Sequence, residues 1–455
     1  MKRTLMVLAL MAIMFGMAAA TETRVATFGP SSMFINDYTD IYFLPAAALS
    51  YPRLIAVEMG DTFPIYNDYY WPKGSAAMLF SNAEQTFGVV GIDINHAIVG
   101  SEFFNAAINS INTSNAIPAI NPGLYPQYNL MIPAPDNRFH VFYARKLNNL
   151  DLGLHIGWAG SAASQDYNDT VIATSTTKAE GSATIWDING NVLMNANETT
   201  SAELAFSLKM ESFSSKVDYT WPTPPQDGAT IESDGGMGMD VALRAYYGMA
   251  DNLSLIPVIQ FNNNSIGYKT SYVDTTIHPT GGKTANLGFG GGFGANYKPA
   301  ENVMLAGGLL IGYSKTTTED TMGVFSGVAD YKLMEEGSFM FPAFCAGLEV
   351  EMLKWLTLRA GAAKMLQSNS YKYEDNVYPM GVVEGTYTTA PYFYAFGLGL
   401  KFKKLAIDLK LNNNVPYSLG YFISGINNTA NNANAIGSVN GGTQPVTSVG
   451  MTYTF

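Results

Sequence analysis

The chain has 455 residues, 25 basic against 37 acidic, a net charge of −12 and a single cysteine, Cys345. The acidic balance argues against a nucleic-acid partner, and one cysteine excludes internal disulfides and a cysteine metal cluster. Apolar residues make up 47% of the chain, yet beyond residue 20 no run is long enough to cross a bilayer as a helix, so a membrane form must be a closed sheet.

Residues 1–20 open with Lys2 and Arg3, run apolar from Leu5 and close on Ala18-Ala19-Ala20. That is the pattern of a secretory signal peptide, with cleavage expected before Thr21. The apolar run stops short of the roughly 18 to 20 residues that a spanning helix needs. Removing Lys2 and Arg3 leaves 23 basic against 37 acidic residues, a net charge of −14.

Residues 21–52 do not alternate. They carry an acidic pair, Asp37 and Asp40, then Ile41-Tyr42, then Pro45-Ala46. In this run the chain resembles the start of the FadL-type fatty-acid transporters and the PorV-like barrels of the outer membrane, although Leu44 stands where those families have Asn. The resemblance covers a small part of the chain. It implies an all-β, transmembrane antiparallel barrel with a short N-terminal luminal hatch formed by Asp37, Asp40, Ile41, Tyr42, Pro45 and Ala46.

Past residue 52, which opens the expected barrel domain 53–455, the strands come in pairs. Runs 53–60 and 75–82 are short, and 87–95 follows them. Residues 96–137 interrupt the rhythm; within them Phe104, Ala107, Ile108 and Ile111 fall at helical spacing, and Pro118, Pro122, Pro126, Pro133 and Pro135 make the rest irregular. Runs 139–146 and 150–158 meet at Asn148-Asn149, the second setting Leu152, Leu154, Ile156 and Trp158 against Asp151, Gly153, His155 and Gly157. A polar stretch reads as a loop, and runs 184–194 and 202–210 follow. After a second polar stretch come 236–249 with 253–268, where Pro257 is a departure tolerable at a bulge.

Runs 285–297 and 303–313 are the clearest hairpin. Leu287, Phe289, Phe293 and Tyr297 oppose Asn286, Gly288, Gly294 and Asn296; then Val303, Leu305, Leu309, Ile311 and Tyr313 oppose Ala306, Gly308 and Gly312. Met304 and Leu310 break the pattern. Pairs 339–352 with 356–371 and 391–402 with 405–411 lead to a last run, 446–455. Its alternation ending on Phe455 resembles the insertion signal of Gram-negative outer-membrane barrels, which makes the barrel-assembly machinery an expected partner.

Short turns alternate with long polar loops, as in outer-membrane barrels, and the runs give about 14 to 16 strands. Tyr247, Tyr297, Phe402 and Tyr453 near the turns, with Trp158 and Tyr313 near the loops, form two expected interfacial girdles.

No catalytic motif is present. His96, His140, His155 and His278 lack metal-site spacing. Residues 166–169 and 187–191 offer oxygen ligands but complete no calcium loop, and they read as solvated loops. No cofactor is expected. The inward phase carries Asp151, Glu203, Lys209, Asp240, Arg244, Arg359, Lys401, Asp408 and Lys410, charges expected to pair across the lumen wall or to ring a solute path.

The resemblance implies passive uptake of a hydrophobic or amphipathic small molecule in the outer membrane, among its lipids, with Phe103, Phe104, Ile108 and Ile111 as an apolar entry groove. Such a groove holds an acyl chain by about 0.8 kcal/mol per methylene. The alternatives are a polar-solute porin and a PorV-like adaptor barrel.

Overall fold

Successive strands of the chain lie side by side and antiparallel, so that every backbone group left open by one strand is taken by the next. A computed structural model describes residues 21–60, 73–82, 84–96, 132–133, 135, 137–169, 175–197, 199–220, 227–272, 281–322, 330–375, 382–411 and 446–455. The expected signal peptide and the expected groove at Phe103, Phe104, Ile108 and Ile111 lie outside the described residues.

The strands are β1 (Leu54–Gly60), β2 (Lys73–Phe80), β3 (Val89–His96), β4 (Asn137–Leu147), β5 (Leu150–Asp169) and β6 (Ser175–Asn195). They continue as β7 (Thr200–Thr220), β8 (Asp227–Ala250), β9 (Leu253–Tyr272), β10 (Gly281–Ala300), β11 (Val303–Met322) and β12 (Asp330–Leu353). The last are β13 (Leu356–Asp375), β14 (Val382–Thr389), β15 (Tyr392–Phe402), β16 (Leu405–Leu411) and β17 (Val446–Thr454). β1 pairs with both β2 and β17, from Leu54 opposite Thr454 to Gly60 opposite Ser448, and the sheet closes into a barrel.

β14 and β15 occupy a single stave. β15 pairs with the first half of β13 (Leu356 opposite Leu400) and β14 with its second half (Gln367 opposite Thr389). The break falls at Ala390-Pro391, where proline lacks the N–H that a ladder needs. The closed barrel therefore has 16 staves, which excludes the smaller count of 14.

Leu287, Phe289, Phe293, Leu305, Leu309 and Ile311 are exposed on the outer wall, an arrangement that water disfavours and lipid does not. The aromatic residues expected at the two edges, Tyr247, Tyr297, Phe402, Tyr453, Trp158 and Tyr313, all stand on this outer face. Trp158 lies opposite Trp186 on the neighbouring strand. From Val303 to Tyr313 the outward stripe of β11 runs about 33 Å, which at a tilt of about 40° spans about 25 Å of membrane.

β5 to β13 run on past this band. Residues 159–169, 175–183, 211–220 and 227–235, within stretches expected as polar loops, are strand, because beyond the bilayer both faces meet water: the alternation that marks a strand in sequence disappears while backbone pairing continues. Exposed ion pairs such as Lys216–Asp218 and Lys372–Glu374 decorate this extension. Residues 166–169 and 187–191 likewise lie in β5 and β6, not in solvated loops. Pro257, expected to be tolerable at a bulge, sits in an unbroken register of β9 against β10, opposite Phe293, with its ring facing outward.

Candidate functional site: the lumenal segment

Residues 21–51 lie inside the barrel, folded as α1 (Glu22–Phe28) and three 3-10 turns, Gly29–Phe34, Tyr38–Tyr42 and Pro45–Ser50. Thr21 caps α1 by accepting the Arg24 N–H at 3.0 Å, and Gly29, with a φ of 55°, ends it. α1 packs on β13, β15, β16 and β17, and the first turn on β10 to β13. The third turn crosses to β3 to β6 on the opposite wall. The inward residues that the segment as a whole meets (Asn191, Glu203, Ile256, Gly294, Glu349) stand a few positions from the short connections at 196–199, 251–252, 301–302 and 354–355. The segment therefore fills the turn end of the lumen.

Two kinds of contact hold it. Phe28, Phe34 and Ile41 are fully buried, and Tyr38 nearly so, each contributing up to about 1.5–3 kcal/mol of apolar burial. Phe34 packs with Ile256, Val258, Leu310, Ala343 and Cys345 of the wall, and Phe28 with Met304 and Ala306. Met304 and Leu310, the residues that break the hairpin's alternation, are thus where the wall turns apolar to receive the segment.

The polar contacts form four clamps. In the first, Arg24 grips Glu349 through Nε at 2.8 Å and Nη2 at 3.1 Å, and reaches Asp37 at 3.0 Å through Nη1. Arg359 joins Glu349 to Asp408, and Asp408 accepts the Thr21 hydroxyl at 2.9 Å. In the second, Arg244 lies 2.8 Å from Asp40 and 3.1 Å from Glu203. In the third, Glu58 on β1 accepts the Glu22 N–H at 2.7 Å, the Thr23 hydroxyl at 2.8 Å and the Tyr38 hydroxyl at 3.3 Å. In the fourth, wall amides satisfy the segment's backbone: Asn189 donates to the Tyr42 carbonyl at 2.6 Å, Asn191 accepts the Ala46 N–H at 2.7 Å, and Asn296 donates to the Phe34 carbonyl at 2.9 Å.

The sequence pair Asp37 and Asp40 has a local role as well. Asp37 accepts the Thr39 N–H at 3.2 Å while Asp40 accepts the Asp37 N–H at 3.3 Å, a reciprocal cap on the second turn. Asp37 keeps its other oxygen for Arg24, while Asp40 Oδ2 accepts both the Asp37 N–H and the Arg244 guanidinium. Burial works against the Arg24 charge, but Glu349 and Asp37 outweigh it and hold the guanidinium above its ordinary pKa. Burial pushes the Asp37 carboxyl up to about 7, against the pull of Arg24. It likewise raises Tyr38, Tyr42 and Tyr51, which remain neutral phenols.

Of the charges expected on the inward phase, Glu203, Arg244, Arg359 and Asp408 join the clamps. Lys209 and Asp240 pair with one another at 2.7 Å within the wall. Asp151 accepts the Asn195 amide at 3.1 Å, and Lys401 and Lys410 are half-buried on the same phase. Ile41, Tyr42, Pro45 and Ala46 all lie within the lumenal segment, where Ile41 and Ala46 are buried.

Sequence reasoning missed Arg24, Glu58 and Glu349. Arg24 carried a signal, as the sole basic residue of 21–52, and both glutamates fall on the inward phase of their strands. It also treated the histidines as scattered, whereas His140 Nδ1 and His155 Nε2 stand 2.8 Å apart under Tyr42. Among the described residues no group of three or more His, Cys, Asp or Glu is arranged to hold a metal ion.

No family model matches the chain, and no curated protein matches it. Similar solved structures include a deltaS2 mutant of the monoaromatic hydrocarbon channel TodX, 10% identical over 82% of this chain and 87% of that one, with a TM-score of 0.35. The monoaromatic hydrocarbon channel CymD is 10% identical over 94% of each chain, with a TM-score of 0.31. The ferric yersiniabactin uptake receptor FyuA from Yersinia pestis is 10% identical over 88% of this chain and 75% of that one, also with a TM-score of 0.31. Likenesses this loose assign the chain neither a family nor a substrate.

Proposed function

We propose that this protein is an outer-membrane barrel for passive uptake of small hydrophobic or amphipathic molecules, with residues 21–51 as a hatch that must shift before anything passes. One observation carries the reading: beneath Phe34 the lumen wall is an apolar stripe of Ile256, Val258 and Leu310, so a displaced hatch uncovers a path that favours greasy cargo. A polar-solute porin is disfavoured by the same feature and by the filled turn end of the lumen. Fold alone does not set the function.

The test is conductance and solute flux of the refolded protein in planar bilayers and liposomes, with and without residues 21–51, followed by uptake of labelled aromatics and fatty acids. Low conductance that rises on deletion, together with apolar uptake by the intact protein, supports the reading; large stable channels in the intact protein overturn it.

A second reading, a PorV-like adaptor, draws on the long strands. β5 to β13 have 20 to 24 residues each, against 7 to 11 in β1 to β4 and β15 to β17. They raise a wall on one side of the barrel that a partner protein could dock on. Stoichiometric co-purification of a partner without solute flux would favour this reading.

A further inference from the structure

We propose that the inner face of β12 to β14, where these strands pass the loop edge of the membrane band, is a binding site for a neutral saccharide. The inference concerns binding at the mouth of the barrel and does not rest on passage through the hatch.

The inner wall changes character in three steps along these strands. Lowest is the apolar stripe under Phe34, which ends at Met340 on β12 and Met365 on β13. The next inward residues are Ser338 and Gln367, about level with Tyr313 on the outer face. Beyond them come Asn369 and Tyr371 on β13, facing Tyr387 and Gly385 of β14.

The polar step is a chain of hydrogen bonds that leaves capacity over. Gln367 Nε2 donates to Ser338 Oγ at 2.7 Å and to Asn369 Oδ1 at 3.0 Å, and Asn369 Nδ2 donates to Thr389 Oγ1 at 3.4 Å. Both amide hydrogens of Gln367 are used within the wall, which leaves its carbonyl oxygen as an acceptor. Asn369 keeps one amide hydrogen, and Ser338 and Thr389 keep their hydroxyl hydrogens as donors. Uncharged donors and acceptors thus stand side by side. Ring hydroxyls, each of which both donates and accepts, satisfy such a surface.

The aromatic step supplies a flat platform. The Tyr371 ring lies across Gly385, where a Cβ would come within 2.6 Å of its hydroxyl and 2.8 Å of the ring carbon Cε1; a glycine lets the ring settle on the backbone of β14. Tyr371 is nevertheless 42% exposed and Tyr387 55%. The two are diagonal neighbours on one face of the sheet, with Cα atoms about 7–8 Å apart. The C–H bonds on one side of a pyranose are electropositive and match the electron-rich face of a phenol ring, while the hydroxyls at its rim reach the amides. An aliphatic chain in the same place would leave those amides without partners.

Charge narrows the class. Among the described side chains on the inward phase of 334–340, 367–373 and 383–389, the one carboxylate is Glu336, exposed and opposite Tyr371, and no cation stands beside it. A carboxylate accepts from sugar hydroxyls and repels an anionic sugar. Lys315 and Lys372 stand on the outward phase, where they pair with Glu335 and Glu374.

The test is saturation-transfer NMR and calorimetric titration of the whole barrel, lumenal segment included, in phosphatidylcholine nanodiscs. The probes are maltotriose, cellotriose and chitotriose, with empty nanodiscs as the blank. At least one probe is expected to bind, with affinity about five- to tenfold lower in Tyr371→Ala and about tenfold lower when Gln367→Leu and Asn369→Leu are combined. Tyr371→Phe keeps the ring and is expected to stay within about twofold of wild type. Heat-modifiable gel migration verifies that each variant is a folded barrel.

Methyl and hexyl β-glucosides separate two sources of the sugar. Equal affinity marks a free saccharide and tighter binding of the hexyl glycoside marks the head of an amphipathic molecule; either supports the site. Binding of none of the three trisaccharides, wild-type affinity in Tyr371→Ala, or a loss as large in Tyr371→Phe as in Tyr371→Ala overturns the proposal. Absence of apolar uptake would sink the transport reading and leave this one standing.

Discussion

Phe34 lies directly over the bare backbone of Gly294 and Gly308, so close that a Cβ on either glycine would meet the ring well inside van der Waals contact. The lumenal segment and the wall are thus fitted at the level of single atoms. Gly294→Val is expected to cost about 1–3 kcal/mol of hatch docking by overpacking. It should raise the conductance of the barrel while leaving its heat-modifiable migration unchanged. An unaltered conductance would mean that Phe34 does not seal the lumen.

Arg244 is the buried cation between Glu203 and Asp40. Removing one member of a buried ion pair leaves the others uncompensated, at a cost of about 3–5 kcal/mol. Arg244→Ala should therefore release the second turn of the hatch, measured as proteolytic cleavage between residues 35 and 45 in folded protein. Cleavage as slow as in the wild type would show that this clamp is dispensable.

Phe28 is fully buried against Met304, Ala306 and Ile35. Phe28→Ala should cost about 3–5 kcal/mol of docking and free α1, while the strand ladder of the barrel, which Phe28 meets only through inward side chains such as Met304 and Ala306, keeps its stability. Urea titration followed by a fluorophore on the segment separates the two: an early transition for α1 and an unshifted one for the barrel.

Phe206 is exposed near the middle of the outward stripe of β7, whereas Tyr247 is exposed at the turn edge. An arginine at Phe206 should cost about 2–4 kcal/mol of barrel stability in lipid and one at Tyr247 about 0–1 kcal/mol. Equal costs at both positions would place the membrane band elsewhere on the wall.

The barrel was legible because its outer face is written residue by residue. All 16 staves had been read as runs, and only their lengths were wrong, since beyond the bilayer Ser161 or Thr317 loses the alternation that flags a strand while keeping its ladder partners. The lumenal segment was legible in part. Asp37, Asp40 and Tyr42 stood out through the resemblance, but Arg24 did not, because its partner Glu349 is 325 residues away. Pro257, a departure expected to be tolerable at a bulge, lies instead where the register against β10 runs straight.

By itself the sequence determined what depends on period. A strand turns alternate side chains to opposite faces, so the lipid face of Leu287, Phe289 and Tyr297 follows from their spacing, and so does the inward phase of Glu203, Arg244 and Asp408. Tertiary structure alone decided which inward residues meet. Closing the ring brings β1 to β17 and folds residues 21–51 back across the lumen, so Arg24 reaches Glu349, Asp40 reaches Arg244 and His140 reaches His155 across separations that no local spacing encodes. The segment fills the turn end of the lumen, and charges buried there need partners wherever the closed wall places them.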